Sequence, residues 1–321
     1  MGSLEIASQT QKSLPDLRSF IRTYPDSRQP IVNQLQREIA VQAIERRGVK
    51  GLKQYGRFFG LMWAYGIAQP EQAALIRSSY FWLRHVDDIA DGDKPLPTNY
   101  SSKQEYLKSK RKLLATVFSP DGSPIYGDKE DLLVLDYALR AKQLGIDLGQ
   151  ESLAILDTIT FDEERSRTRR IPTKAELDDY FYKLDFACIA GALKVAGETW
   201  TSDSLADLSW AVRTMFNLRD FPKDFRDGIT NISLEDIEAY GIDLKNCEGK
   251  ETPHDLLQYE PIRKWYADEV AKASAFLARA RDQMKDLPMK KLTHLAIHLN
   301  FIKPVETTLQ RIKEALHALE N

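Results

Sequence analysis

The chain has 321 residues, 43% of them hydrophobic and 29% charged, with a formal net charge of −2. That is enough apolar material for a large buried core, and the near-neutral balance gives no general pull toward nucleic acid, so no nucleic-acid partner is expected. No apolar run approaches the length of a membrane span, no signal peptide is visible, and Ile6 stands where a myristoylation signal wants Ser or Thr, so the expected setting is the cytoplasm.

Residues 1–30 carry Pro15, Pro25 and Pro30 and read as a loosely ordered N-terminal segment. Residues 31–321 read as a single all-α domain. Val32, Leu35, Ile39, Ala43 and Ile44 give a helical stripe over 32–47. Residues 52–65 are apolar and aromatic and predict a buried helix. Pro70 opens a helix without internal Gly or Pro that runs into Arg84-His-Val-Asp87-Asp88-Ile-Ala-Asp91, and Gly92, Pro95 and Pro97 close it. Ser102 with Glu105 is a capping box for the next helix. Residues 132–144 and 151–165 predict two more. Arg165, Arg167, Arg169 and Arg170 then form a basic run, read equally as a lid over an anion or as a solvated loop.

Thr173 with Glu176 caps a long amphipathic run over 175–195. A helix beginning at Ser202 ends in Asn217-Leu-Arg219-Asp220-Phe-Pro222-Lys223-Asp224-Phe-Arg226, where Pro222 is expected to disturb it. Ser233 with Asp236 caps a short helix stopped by Gly241. Residues 259–284 and 292–319 are helical, the second broken or kinked at Pro304. No strand alternation and no βαβ rhythm appears. The expected architecture is all-α, with both acidic segments facing a central cavity. Cys188 and Cys247 lack metal-ligand spacing and read as buried thiols, Cys188 in the core.

Asp87 and Asp91 are four apart and share one helix face, and Asp220 and Asp224 repeat that spacing. Two bare carboxylates so placed repel by a few tenths of a kcal/mol, and Asp is a poor helix former. A bound cation would return that stability. Mg²⁺ prefers oxygen ligands and takes one or two carboxylates plus substrate phosphates. Two such pairs facing one cavity therefore suit a diphosphate held between metal ions. One pair alone is ordinarily a solvated helix face. The functional reading comes from two pairs, each ending an apolar helix and each preceded by an arginine, Arg84 or Arg219.

These residues resemble the squalene and phytoene synthase family, the head-to-head branch of the isoprenoid synthase fold. Arg84 with Asp87, Asp88 and Asp91 matches the family's first acidic motif, and Arg219 with Asp220 and Asp224 matches its second. Tyr80 sits where the family has a Tyr four residues before the Arg. The stretch from Glu176 to Tyr182 and the stretch from Ser233 to Gly241 match further family segments in order. The resemblance implies an isoprenoid synthase-type helical bundle around a central cavity. It implies Mg²⁺ as cofactor on Asp87, Asp88, Asp91, Asp220 and Asp224. Diphosphate contacts would come from Arg84, Arg219, Lys223 and Arg226, and the substrate would be a prenyl diphosphate of the farnesyl or geranylgeranyl class. Tyr80, Tyr182, Phe186 and Phe216 would offer aromatic faces to the allylic cation, although core packing is the more ordinary role for any one of them. An apolar product would bring peripheral membrane contact.

The chain also departs from the family. Arg213 and Phe216 replace a Gln and an Asn ahead of the second motif, and Asn217 is one residue off, about 100° round the helix. Ile229 and Asn231 stand where the family shows Arg and Tyr, and Asp185 and Phe186 replace small residues near Tyr182. Arg213 either faces the chamber beside Phe216, where it would act on the acceptor, or pairs with an acid such as Asp185 or Glu164. Three functions follow. The first is condensation of two prenyl diphosphates head to head. The second is the same ionisation with cyclisation or transfer to a non-isoprenoid acceptor. The third is a non-catalytic relative that binds or assembles.

Overall fold

The computed structural model describes residues 29–42, 44–45, 65–119, 128–250 and 252–319, and every regular element among them is a helix. Nearly all of the expected helix over 52–65, and residues 1–28 of the N-terminal segment, lie outside the described residues. The chain divides into two compact units, Met1–Ser101 with Thr116–Gly145 and Ser102–Ala115 with Ile146–Asn321.

The first unit contains α1 (29–42), α2 (Pro70–Ala90) and α4 (Asp131–Gln143). α2 starts with a proline, whose missing N–H is not needed in a first turn, and with Glu71, which suits the positive end of the helix dipole. Leu75, Phe81, Trp82, Val86 and Ile89 bury one side of α2, which packs on α4 and its Leu133, Val134 and Tyr137. Each such side chain withdrawn from water contributes roughly 1.5–3 kcal/mol. A buried polar chain fixes the register. Gln36 Nε2 donates to Ser78 Oγ at 3.1 Å, and Ser78 Oγ donates to Asp136 Oδ2 at 2.6 Å. Arg140 Nε reaches the same carboxylate oxygen at 2.8 Å, and its Nη1 reaches Glu71 at 2.8 Å.

The second unit contains most of α3 (Lys103–Val117) and α5 (Gly149–Thr168), joined by Arg111–Asp157 and Gln104–Glu163 bonds of 2.7 Å. α6 (Lys174–Phe181) starts in the capping box expected at Thr173 and Glu176. A π-turn over Tyr182–Phe186 links it to α7 (Ala187–Ala196). α8 (Ala206–Arg226) follows, then the short α9 (Leu234–Tyr240), which Ser233 caps, and α10 (Pro253–Leu257). The long α11 (Glu260–Asp286) packs along α8. Leu208, Val212, Met215 and Leu218 recur at three- and four-residue spacing on α8 and meet Trp265, Val270, Ala273 and Leu277 of α11 in one core.

α8 corrects an expectation. Pro222 lies inside it, yet the helix runs unbroken from Ala206 to Arg226. Proline removes the N–H that would have met the Leu218 carbonyl. The buried Tyr266 hydroxyl of α11 donates to that carbonyl instead, at 2.9 Å. At Pro304 the break is softened in another way. α12 (Lys291–Ile297) passes through a π-turn over His298–Ile302, and Pro304 falls in the first turn of α13 (Lys303–His317). There its missing N–H is tolerated.

Cys188, expected in the core, is exposed, whereas Cys247 is buried. No helix among the described residues is long and apolar enough to cross a membrane.

Candidate functional site

The first acidic segment ends α2. Its carboxylates cluster at the C-terminal, partially negative end of the helix, with no basic residue in the last turn. Arg84 supplies the compensation from one turn back. Its Nη1 meets Asp87 Oδ2 at 2.8 Å and its Nη2 meets Asp88 Oδ1 at 2.5 Å. Asp88 is fully buried and has Lys94 Nζ at 3.7 Å as a second cation, while Asp87 is partly exposed and Asp91 exposed. The three aspartates thus differ in setting. Asp88 is an internal counter-ion that anchors Arg84 and the loop after the helix, where Lys94 N also donates to the Asp88 carbonyl at 2.8 Å. Asp87 and Asp91 are the carboxylates that solvent reaches. Tyr80, one turn before Arg84, is partly buried with its ring edge-on to Phe81 at 5.5 Å.

The second segment occupies the last turns of α8. Arg219 clasps Asp220 with two bonds, Nε to Oδ1 at 2.8 Å and Nη2 to Oδ2 at 2.5 Å, and its guanidinium lies 4.6 Å from the centre of the Phe216 ring. Asp224 Oδ2 accepts from Asn231 Nδ2 at 3.2 Å. Burial, and then the charge of Asp220, push the Asp224 carboxyl up to about 7. Lys223 and Arg226 lean on Asp227, at 2.6 Å and 3.9 Å, and the charge of Lys223 also works against the rise of the Asp224 pKa.

Further residues of α5, α6 and the turn after α8 build this site, and their roles were not evident from the sequence. Asp162 of α5 is a third carboxylate near Asp224 and adds to its raised pKa. Tyr180 donates its hydroxyl to Asp162 Oδ2 at 2.8 Å. Arg165 is completely buried, ion-paired to Asp162, and donates to Asn231 Oδ1 at 2.8 Å and to the Thr230 carbonyl at 3.1 Å. The Phe161 and Tyr180 rings lie 4.7 and 4.8 Å from its guanidinium. Arg165 is therefore an internal strut and neither a lid nor a solvated loop residue. Its neighbour Arg170 is spent on Glu176, at 2.8 Å to both oxygens. Gly228 lets the turn after α8 lie against α5, because a Cβ there would meet the Ser166 carbonyl at 3.0 Å and its φ is +87°. The only sequence signal for this cluster was Asp162 and Arg165 at i,i+3.

A family model described as squalene/phytoene synthase matches residues 61–318. The chain belongs to the squalene/phytoene synthase family. Among solved structures, squalene synthase HpnC from Alicyclobacillus acidocaldarius is similar at 16% identity over 77% of this chain and 82% of that one, with a TM-score of 0.53. At that identity the likeness speaks for the all-α fold. A search of the curated proteins gives no significant match. Family and fold together support a prenyltransferase of the squalene/phytoene synthase type.

The residues at which this family member departs from the pattern also have definite places. Arg213 pairs with Asp185, Nε to Oδ2 at 2.6 Å and Nη2 to Oδ1 at 2.9 Å. Of the two arrangements open from sequence, the ion pair is the one found. Burial opposes the charge on Arg213, but Asp185 outweighs it and raises the guanidinium pKa. Asp185 can reach it from the π-turn, a geometry that recurs at functional sites. Phe216 is partly buried, 5.9 Å from the Arg213 guanidinium. Tyr182 is half exposed and stacks on Phe186 at 4.3 Å. Asn217 turns into the core and donates to the Asn231 carbonyl at 2.9 Å.

Proposed function

We propose that this chain is a Mg²⁺-dependent prenyltransferase that ionises an allylic prenyl diphosphate of the farnesyl or geranylgeranyl class and condenses two of them head to head. The observation that carries the reading is the state of Asp224. Its carboxyl is pushed up to about 7 by burial first and then by Asp220, so ionising it in place costs free energy that a bound cation would return. Carboxylate oxygens at a helix C-terminus are the donors Mg²⁺ prefers. Mg²⁺, when bound, would neutralise the diphosphate as it leaves.

The chain's own groups have separate tasks in this reading. Asp220 and Asp224 hold one metal position, and Asp87 with Asp91 another. Asp88 stays buried and orients Arg84. Arg84 and Arg219 now rest on Asp87 and Asp220 and turn to phosphate oxygens when these arrive, since guanidinium matches phosphate in a two-pronged fashion. Lys223 and Arg226 give weaker, outer contacts. The half-exposed Tyr182 ring offers a face to the allylic cation. Arg213 and Asp185 act together as a near-neutral pair, which keeps a lone positive charge away from that cation. This supports the head-to-head reading over the alternatives.

Phe216, bulkier than the family's Asn, favours the second reading: the same ionisation followed by cyclisation or transfer to another acceptor. An apolar product would leave through a peripheral membrane contact. Incubation with farnesyl and geranylgeranyl diphosphate plus Mg²⁺, with diphosphate measured and products identified, decides among them. A linear head-to-head product is expected. Cyclic or acceptor-linked products support the second reading, and no diphosphate release from either substrate rejects both.

A further inference from the structure

The first unit holds a cavity of about 720 Å³ that the prenyl transfer reading does not use. His85, Asp128 and Glu130 line it. His85 is one residue past Arg84, but two residues on a helix turn about 200°, so it faces away from Asp87. It is 94% buried, since only 6% of its surface is exposed. Its Nε2 is buried and makes no hydrogen bond among the described residues. That nitrogen points between two carboxylates, 3.9 Å from Asp128 Oδ2 and 4.0 Å from Glu130 Oε2. One ligand atom from each of the three residues lies within 4.8 Å of the others.

An imidazole nitrogen left unbonded in a buried wall loses on the order of 1–3 kcal/mol. Direct hydrogen bonds to the carboxylates are ruled out at these distances. The separations do suit a metal ion between the groups. Tetrahedral Zn–N and Zn–O bonds of about 2.0–2.2 Å put ligand atoms about 3.3–3.5 Å apart, so His85 Nε2 and each carboxylate oxygen would need to close by about half an ångström. The donor set, one imidazole and two carboxylates, selects a borderline transition metal over Mg²⁺, which prefers oxygen alone. Open cavity beside the three ligands leaves room for a fourth position.

We propose that His85, Asp128 and Glu130 form a binding site for a divalent transition-metal ion of the Zn²⁺ type. Lys94 tunes it. Its Nζ lies 3.3 Å from His85 Nδ1 and 3.7 Å from Asp88 Oδ2. A lysine ammonium only donates, so it holds the ring proton on Nε2. Metal binding at Nε2 moves that proton to Nδ1, and Lys94 must then swing fully onto Asp88. Lys94 therefore weakens the site, and its removal strengthens it.

The test is calorimetric titration of metal-stripped protein with Zn²⁺ in excess Mg²⁺, paired with Co²⁺ absorption spectra. A single Zn²⁺ per chain is expected, with visible Co²⁺ bands of imidazole ligation. Glu130→Gln, at the partly exposed rim, and Asp128→Asn should each weaken binding by more than the roughly tenfold that losing even an outer partner of a metal ligand costs. His85→Ala should abolish it in protein whose helix content and melting are intact, and Lys94→Met should bind more tightly than wild type. Zn²⁺ displaced by Mg²⁺, no Zn²⁺ binding at all, or binding unchanged in Glu130→Gln and Asp128→Asn overturns the proposal, even if His85→Ala fails to fold.

Discussion

The Tyr266 hydroxyl, on α11, donates a 2.9 Å hydrogen bond to the Leu218 carbonyl on α8, the one carbonyl that Pro222 deprives of its helical partner. Both tyrosine and leucine are fully buried. This bond lets a helix with an internal proline carry Asp220 and Asp224 at regular helical spacing, on the same face and one turn apart.

Tyr266→Phe should therefore destabilise the protein by about 1–3 kcal/mol, the cost of a buried carbonyl left unpaired. In a Pro222→Ala background the Leu218 carbonyl regains an N–H, and the same substitution should cost clearly less. Urea unfolding of the four proteins measures the coupling. Equal costs in both backgrounds would show that the hydroxyl does not stand in for the lost backbone bond.

The helices were legible because their signals are local. Apolar spacing on α2 and α11, and the capping pairs at Thr173/Glu176 and Ser233/Asp236, need only a few neighbouring residues. The spacing of the acidic pairs was legible for the same reason. What the sequence hid depends on distant partners. Tyr266 meets Leu218 across 48 residues, so Pro222 alone read as a helix breaker. Arg165 finds Asn231 and Thr230 about 65 residues on, so its basic run read as a lid or loop. Asp87 and Asp88 are adjacent in sequence, and only tertiary packing makes one a surface carboxylate and the other a buried counter-ion.

That difference in burial predicts opposite phenotypes. Asp87→Ala and Asp220→Ala should abolish diphosphate release while leaving the melting temperature near wild type, since both side chains are partly exposed. Asp88→Asn should instead lower stability by several kcal/mol, because it leaves Arg84 and Lys94 around a buried neutral group. Thermal melts beside a diphosphate-release assay separate the two effects. Near wild-type turnover in Asp87→Ala or Asp220→Ala would remove that residue from the metal site.

Arg213 and Asp185 should behave as one unit. Arg213→Gln alone leaves a mostly buried carboxylate without its partner and should cost about 3–5 kcal/mol. Adding Asp185→Asn should recover much of that loss, because no charge then stays buried. Denaturant titration of both singles and the double completes the cycle. Strictly additive losses would mean that the pair is not energetically coupled.

The last prediction follows from Asp224, whose carboxyl lies near 3.8 when unperturbed and at about 7 in the folded protein. Between those values the folded state holds a proton that the unfolded chain has released. Stability therefore falls as pH rises from about 4 to about 7 and levels off above that. Asp224→Asn keeps the shape and can still accept from Asn231 Nδ2, but it cannot ionise. The variant should be more stable than wild type near pH 8, and the gain should vanish below about pH 4, where the wild-type group is protonated. Mg²⁺ and inorganic diphosphate added together should reverse the order near pH 8, because ligands that bind the folded state stabilise it and only the wild type retains the carboxylate. Melting temperatures across this range, with and without the ligands, read out both effects. An asparagine variant less stable than wild type near pH 8 without ligand would show that the charge on Asp224 is already balanced within the protein, and the argument for a cation at this corner would fall with it.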